Sequence, residues 1–243
     1  GLIRQALRSA AEAARAAART GMTAAHCTLL CWSADADHVL ALHCDHHAVM
    51  HLYASPARPE DTALLCRCTG AQLALIQDVS GGNAYDEAHT VPWLRLRERF
   101  GSAVPAGCFS STVEYRGQFD VSDEVAQADA AGLMAYLVGC GAMTGPERPA
   151  HPDGLHLPLG GAGEVFAPQG GIVTWTARPG DRVDAGQTIG HVTCPETRRR
   201  LPVTADNAGL LFRLELWRSC LRGQSLAHVA GDEILRSGDL LSD

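Results

Sequence analysis

The period of the apolar positions changes several times along the chain, and each change predicts an element. Over residues 2–19, Arg4, Arg8, Glu12, Arg15 and Arg19 recur every three or four positions, while leucine, isoleucine and alanine fill the rest. That spacing gathers the charges on one face of a surface helix. Thr23 is placed to cap a second short helix running to Trp32, which Asp35-Ala36-Asp37 then breaks. His38 to Cys44 is a short apolar run of the kind that forms a buried strand. From there the expected order is helix 59–68, strand 72–79, helix 92–100, strand 108–115 and helix 121–138. Such alternation predicts an α/β domain whose largely parallel or mixed sheet is covered on both faces. Ligands in these sheets collect at the carboxyl ends of the strands.

The pattern changes after Gly139. Proline and glycine become frequent up to Pro158, so the helix stops and a linker is expected. Beyond it lie short β-type runs separated by turn signals such as Pro179-Gly180-Asp181 and Ala185-Gly186-Gln187. This part repeats itself: Gly186-Gln187-Thr188-Ile189-Gly190-His191-Val192 returns as Gly223-Gln224-Ser225-Leu226-Ala227-His228-Val229, and Gly171-Ile172 as Gly209-Leu210. Two copies of one β unit are implied, and the pattern resembles the barrel-sandwich hybrid of biotinyl and lipoyl carrier domains. The expected organisation is a partial α/β domain over 1–145, a linker over 146–159 and a small all-β barrel-sandwich-like domain over 160–243.

Composition narrows the function. The chain has 243 residues, 46% of them apolar, and a formal charge of −7. There is ample material for a core, and a phosphate-backbone partner is disfavoured. All twenty positive charges are arginines, so a carrier domain, whose prosthetic group is attached to lysine, is excluded. The nine cysteines are scattered and odd in number, which suits reduced thiols in a cytoplasmic protein better than a disulfide framework. No apolar run is long enough for a transmembrane helix, and no secretory signal is recognisable. A cytoplasmic protein with a small-molecule substrate and no nucleic-acid or membrane partner is expected. Self-association is left open.

Two segments carry the chemistry. Ala41 to Tyr53 places His43, His46, His47 and His51 beside Cys44 and Asp45, directly after the first strand. Ser111-Thr112-Val113-Glu114-Tyr115-Arg116-Gly117 sets a carboxylate two positions from a guanidinium on a β-branched strand, and strict alternation would put Thr112, Glu114 and Arg116 on one face. A histidine at a strand end can be a satisfied core group, and a strand glutamate can pair with its neighbour in solvent. His47 and His51 have the spacing of a helical metal pair, but no glutamate follows His47 as the metalloprotease helix requires. Cys66-Arg67-Cys68 lacks the spacing of a zinc knuckle.

Taken together, Leu42-His43-Cys44-Asp45 and Thr112-Val113-Glu114-Tyr115-Arg116-Gly117 resemble the succinylglutamate desuccinylase and aspartoacylase family of zinc carboxypeptidase-like amide hydrolases. The resemblance implies a zinc-carboxypeptidase-like α/β domain, a Zn2+ cofactor and cleavage of an N-acyl amino acid or similar small amide. It implies His43 as the third zinc ligand and Glu114 as the general base and acid. Arg116 would bind a substrate carboxylate or orient Glu114. Tyr85, Asp86 and Glu87 resemble a cleft-lining loop of the family, and a plain turn is the competing reading. Two departures stand against these matches. The His-x-x-Glu pair that supplies the family's first two ligands has no counterpart in the sequence, and Ala41 stands where the family places aspartate. Either a preceding segment supplies the missing pair, or the chain is a metal-free, non-enzymatic relative acting as a binding or assembly subunit.

Overall fold

A computed structural model describes residues 1–82, 84–146 and 151–240. Among them the architecture is mixed α/β with three sheets. The chain opens with a helical hairpin, α1 (Leu2–Ala16) and α2 (Gly21–Ser33). Thr20, not Thr23, caps α2: its Oγ1 accepts the Thr23 N–H at 3.1 Å. The alternating part then supplies β1 (His38–Asp45), β2 (His47–Ala48), β3 (His51–Ala54), α3 (Pro59–Thr69), β4 (Leu73–Ile76), α4 (Glu87–Phe100), β5 (Phe109–Gly117), α5 (Asp123–Gly139) and β6 (Leu155–Pro158). The first sheet runs β1-β5-β3-β4-β6, with β3 antiparallel to β5 and the other pairs parallel.

Strand β6 lies within the stretch expected to be a linker. Its sequence, Leu-His-Leu-Pro, is masked by the surrounding prolines and glycines, yet an edge position tolerates Pro158 at the strand end. Residues 147–150 of that expected linker lie outside the described residues. Helix α4 starts at Glu87 rather than Pro92, so the proline falls inside the helix.

One face of the first sheet packs against α3 and α5. Leu52, Ala74 and Val113 meet Leu65, Cys66 and Tyr136 there, and the Tyr136 hydroxyl lies 2.8 Å from His38 Nδ1. The other face is shared between α4 and the second half of the chain, where Leu73 and Leu75 pack with Val49, Leu210, Phe212 and Ala230. That second apolar cluster joins the two halves.

The second half adds β7 (Ala162–Phe166), β8 (Gly171–Trp175), β9 (Arg182–Val183), β10 (Thr188–Thr193), β11 (Arg200–Thr204), β12 (Gly209–Leu214), β13 (Ser219–Cys220) and β14 (Ser225–Ala230). The repeat seen in the sequence is structural and intertwined. β8 pairs with β10 and with β13 of the other copy, while β12 pairs with β14 and with β9 of the first. Gly171 and Gly209 hold matching places with φ of 156° and 155°; a Cβ would lie 2.3 Å from the Thr193 carbonyl oxygen and 2.0 Å from that of Ala230. Backbone approaches that close admit only glycine. Between the two sheets lie Val173, Ile189, Val192, Leu211, Leu226 and Val229, all essentially inaccessible. β2 crosses from the first half to pair with β12, opposing Ala48 to Arg213 and His47 to Leu214.

Candidate active site

Three residues line up across the middle of the first sheet. His43 on β1 opposes Glu114 on β5, and Glu114 opposes His51 on β3. Directly opposed residues share a face, so all three project to the side where α4 packs. A cleft opens there between β1, β5 and the carboxyl ends of β3 and β4, with Asp86 and Glu87 at the start of α4 as its far wall. His43, Thr112 and Glu114 line it, together with Tyr53, Ser110 and Gln77.

Glu114 sits at the base of the cleft. Its Oε1 is 3.9 Å from His43 Nδ1, and its side chain is 14% exposed against 56% for His43. Burial pushes the Glu114 pKa up to about 7, the neighbouring Asp45 carboxylate adds to the rise, and Arg213 opposes it. Oε2 is buried without a hydrogen-bond partner. The group is therefore a carboxyl whose ionisation is shifted towards neutrality by its burial.

His51 is fully buried and is held as one tautomer. Its Nδ1–H donates to the Val49 carbonyl at 2.9 Å, so Nε2 carries the lone pair. Burial lowers its pKa, which keeps the ring neutral. Nε2 has no hydrogen-bond partner and lies 3.9 Å from Asp45 Oδ2. Asp45 in turn accepts Arg213 Nε–H at 2.7 Å and the His46 N–H at 2.6 Å. Burial raises the Asp45 pKa, but the Arg213 charge and the two hydrogen bonds outweigh it, and the net shift is downward. Arg213 belongs to β12, so a residue of the second half sets the charge balance behind Glu114.

The four clustered histidines separate. His43 faces the cleft and His51 is core, while His46 Nδ1 lies 2.8 Å from Arg213 and 3.1 Å from Glu215. His47 borders a different depression, beside Arg116 and Asp120. The segment forms strands, so the helical geometry needed for a His47–His51 pair is absent.

Arg116 is the clearest departure from the sequence reading. It adopts a positive φ of 61°, and the β1–β5 register slips between His43 and Asp45, where Gly117 becomes the partner of Asp45. Alternation therefore fails after Glu114. The guanidinium turns to Asp129 on α5, away from Glu114 and the cleft. Arg116 is not among the residues that line the cleft.

The loop expected to line the cleft does so in part. Burial raises the Asp86 pKa. Glu87 accepts hydrogen bonds from the Ser80 backbone N–H and hydroxyl. Tyr85 points away, its hydroxyl 2.8 Å from Ser33 Oγ on α2. Local sequence pattern gives no sign of the pairing of Asp45 with Arg213, nor of the strand residue Ser110, whose buried hydroxyl has no partner.

A mixed sheet clad by helices and joined to a twofold-repeated β part defines a known class of architecture. It is the fold of the succinylglutamate desuccinylase/aspartoacylase proteins. The chain superposes with a TM-score of 0.82 on a protein described as a succinylglutamate desuccinylase/aspartoacylase from Shewanella frigidimarina, at 23% identity over 93% of this chain and 62% of that one. A succinylglutamate desuccinylase/aspartoacylase family protein from Shewanella amazonensis gives 0.81 at 20% identity, over 94% and 64%. The ectoine utilization protein EutE (DoeB) from Ruegeria pomeroyi gives 0.62 at 18% identity, over 80% and 60%. At such identities the likeness establishes the fold, and the chain spans less than two-thirds of each of these structures. No protein-family profile and no curated protein matches the sequence. Among the described residues no helix is long and apolar enough to cross a membrane.

Proposed function

We propose that the chain forms the greater part of an amide hydrolase of the desuccinylase/aspartoacylase family, a zinc-dependent deacylase acting on an N-acyl amino acid or similar small amide. The observation that carries this reading is the pairing of an accessible imidazole, His43, with a sheltered carboxyl poised near neutral pH, Glu114, at the base of one cleft.

Glu114 has the properties of a general base that becomes a general acid. Ionised, it takes a proton from a water molecule as the water oxygen bonds to the amide carbon. It then returns the proton to the nitrogen as the C–N bond breaks. A pKa near the working pH favours both transfers, and Oε1, the oxygen nearer His43, is the one placed to carry the proton.

The described residues fit zinc only in part. A catalytic zinc site takes three protein ligands; His43 offers one, and no two further donors converge on it. The one such three-donor group among the described residues lies elsewhere. This shortfall favours a second reading, a metal-free relative that keeps the fold and binds without cleaving. Amine release from a panel of N-acetyl and N-succinyl amino acids, with Zn2+ present, separates the two. The protein to assay is this chain with a strand bearing His-x-x-Glu joined ahead of Leu2. Cleavage that disappears in Glu114→Gln supports the hydrolase. A zinc-loaded joined protein that cleaves nothing in the panel supports the binding relative.

A further inference from the structure

At the other end of the first sheet from the cleft, three donors of different kinds meet. Cys66 in the last turns of α3, Asp153 just before β6 and His156 within β6 bring a sulfur, a carboxylate oxygen and an imidazole nitrogen within 4.8 Å of one another. None of them lines the cleft, and the reaction proposed above makes no use of them. We propose that Cys66, Asp153 and His156 form a separate metal site that takes a zinc-class divalent cation, with water completing the coordination.

The donor set points to that class of ion. Thiolate with imidazole suits borderline-soft cations of the zinc type and not magnesium or calcium, which favour all-oxygen shells. Zinc bonds to sulfur at about 2.3 Å and to nitrogen and oxygen at about 2.0–2.2 Å, which separates tetrahedral donors by about 3.3–3.8 Å. His156 Nε2 and Asp153 Oδ1 are already 3.1 Å apart, so modest side-chain rotation closes the set around an ion.

The backbone brings these residues together independently of any ion. The His151 N–H donates to the Arg67 carbonyl at 2.7 Å, and the Leu155 N–H to the Gln72 carbonyl at 2.9 Å, fastening residues 151–155 across the end of α3. Gly154 sits so close that a Cβ there would lie 2.6 Å from the Ala71 carbonyl oxygen. Burial pushes the Cys66 thiol up to about 12, and the Gly154 backbone N–H opposes that rise, so the bound cation itself would have to displace the thiol proton. Outer hydrogen bonds of this kind hold ligands in place around metals. Cys66 is wholly buried, whereas Asp153 and His156 are exposed, so an ion would reach the sulfur from the solvent side through the two exposed ligands. Bound there, it would clip the edge strand β6 to α3.

Cobalt(II) titration of the untagged 243-residue chain tests the site, because thiolate ligation gives cobalt a charge-transfer band that imidazole and carboxylate alone do not. One equivalent of cobalt should produce the band in the unaltered chain and equally in His43→Ala. His156→Ala and Cys66→Ala should abolish it, and Asp153→Asn should weaken binding at least about tenfold. Saturating Zn2+ should raise the Tm by about 5 °C in the unaltered chain and not in His156→Ala. His156 is exposed, so its removal does not open the core, and this variant decides the question even if Cys66→Ala does not fold. Cobalt bound without the thiolate band, a band that survives His156→Ala, or no binding at all would overturn the proposal. None of these outcomes depends on whether the cleft hydrolyses amides.

Discussion

His43 and Glu114 oppose one another on adjacent parallel strands, Nδ1 to Oε1 at 3.9 Å, with the histidine open to the cleft and the glutamate sheltered beneath it. The division of exposure suggests a division of labour: the accessible nitrogen suits a ligand, and the desolvated carboxyl suits proton transfer. Replacing Glu114 by Gln keeps shape and polarity but removes the titrating proton. In a catalytically complete form of the protein, turnover should fall by about a hundred-fold or more while the circular dichroism spectrum is unchanged. Undiminished hydrolysis by the Gln variant would remove Glu114 from the reaction.

The same carboxyl should leave a mark on stability. Its folded pKa of about 7 lies above the ordinary value of 4.5, so the folded state holds this proton more tightly than the unfolded chain. The resulting stabilisation is complete below the ordinary value and is lost as pH rises through about 7. The Tm of Glu114→Gln relative to the unaltered chain should therefore rise by several degrees between pH 5 and pH 8. Asp45 acts in the opposite sense: its lowered pKa contributes stability that is lost as pH falls through the carboxylate range. A Tm difference independent of pH would mean that Glu114 is not buried as described.

Arg213 should couple the two halves of the chain to the cleft. Its pair with Asp45 is mostly shielded, at 14% and 15% side-chain exposure. Removing one partner leaves the other charge poorly solvated, which costs up to about 3–5 kcal/mol in the most buried cases, with a smaller loss expected here. Arg213→Ala should thus lower the denaturation midpoint. It should also push the Glu114 pKa above 7, because Arg213 is the group opposing that rise. In an active form, the ascending limb of the pH–rate profile would move to higher pH. A double-mutant cycle with Asp45→Asn isolates the pair; additive effects would show that the two side chains do not interact.

Much of this arrangement was legible in the sequence, and the losses have identifiable causes. The strands carrying His43 and Glu114 announce themselves by local pattern, and the β repeat by the recurrence of its Gly-Gln turns. In the structure, Gln187 and Gln224 each accept the backbone N–H three residues earlier, from Asp184 and Leu221. Arg116 was misplaced because alternation assumes an unbroken strand, and a positive φ at that residue breaks it. Arg213 gave no signal, since its role arises from the pairing of β2 with β12 across 165 positions of chain. His51 resembles a member of a histidine cluster in the sequence, and only strand registry shows that it stands directly across from Glu114 on the neighbouring strand β3. Cys66 has no metal-site spacing with Cys68 in the sequence, and the residues near it in space, Asp153 and His156, lie just before and within β6, a strand obscured by the surrounding prolines and glycines.

The β part bears on how far the halves are independent. Residues 160–231 enclose a well-filled core of their own, so that segment expressed alone should give a β-type circular dichroism spectrum. Leu210, Phe212 and Ala230 pack on Leu73 and Leu75 of the first half, and excision bares that surface. The segment should therefore self-associate or bind a hydrophobic dye, and melt below the whole chain. A disordered or mainly helical spectrum would refute the boundary.

The last prediction concerns metal at the cleft. His43 lies on β1, which is at the edge of the first sheet and pairs only with β5 among the described residues. One imidazole does not hold catalytic zinc, and the neighbouring histidines point elsewhere: His51 into the core, His46 to Glu215 and His47 to another depression. In a His156→Ala background, which disables the separate site proposed at Cys66, the 243-residue chain should bind zinc weakly at most and show negligible deacylase activity. Joining a strand with His-x-x-Glu beside the free edge of β1 should create tight binding, and His43→Ala should abolish it again. The decisive comparison is zinc retained after dialysis against a mild chelator. Stoichiometric zinc in the unjoined His156→Ala protein would mean that the cleft holds the ion without further ligands, contrary to the geometry of its histidines.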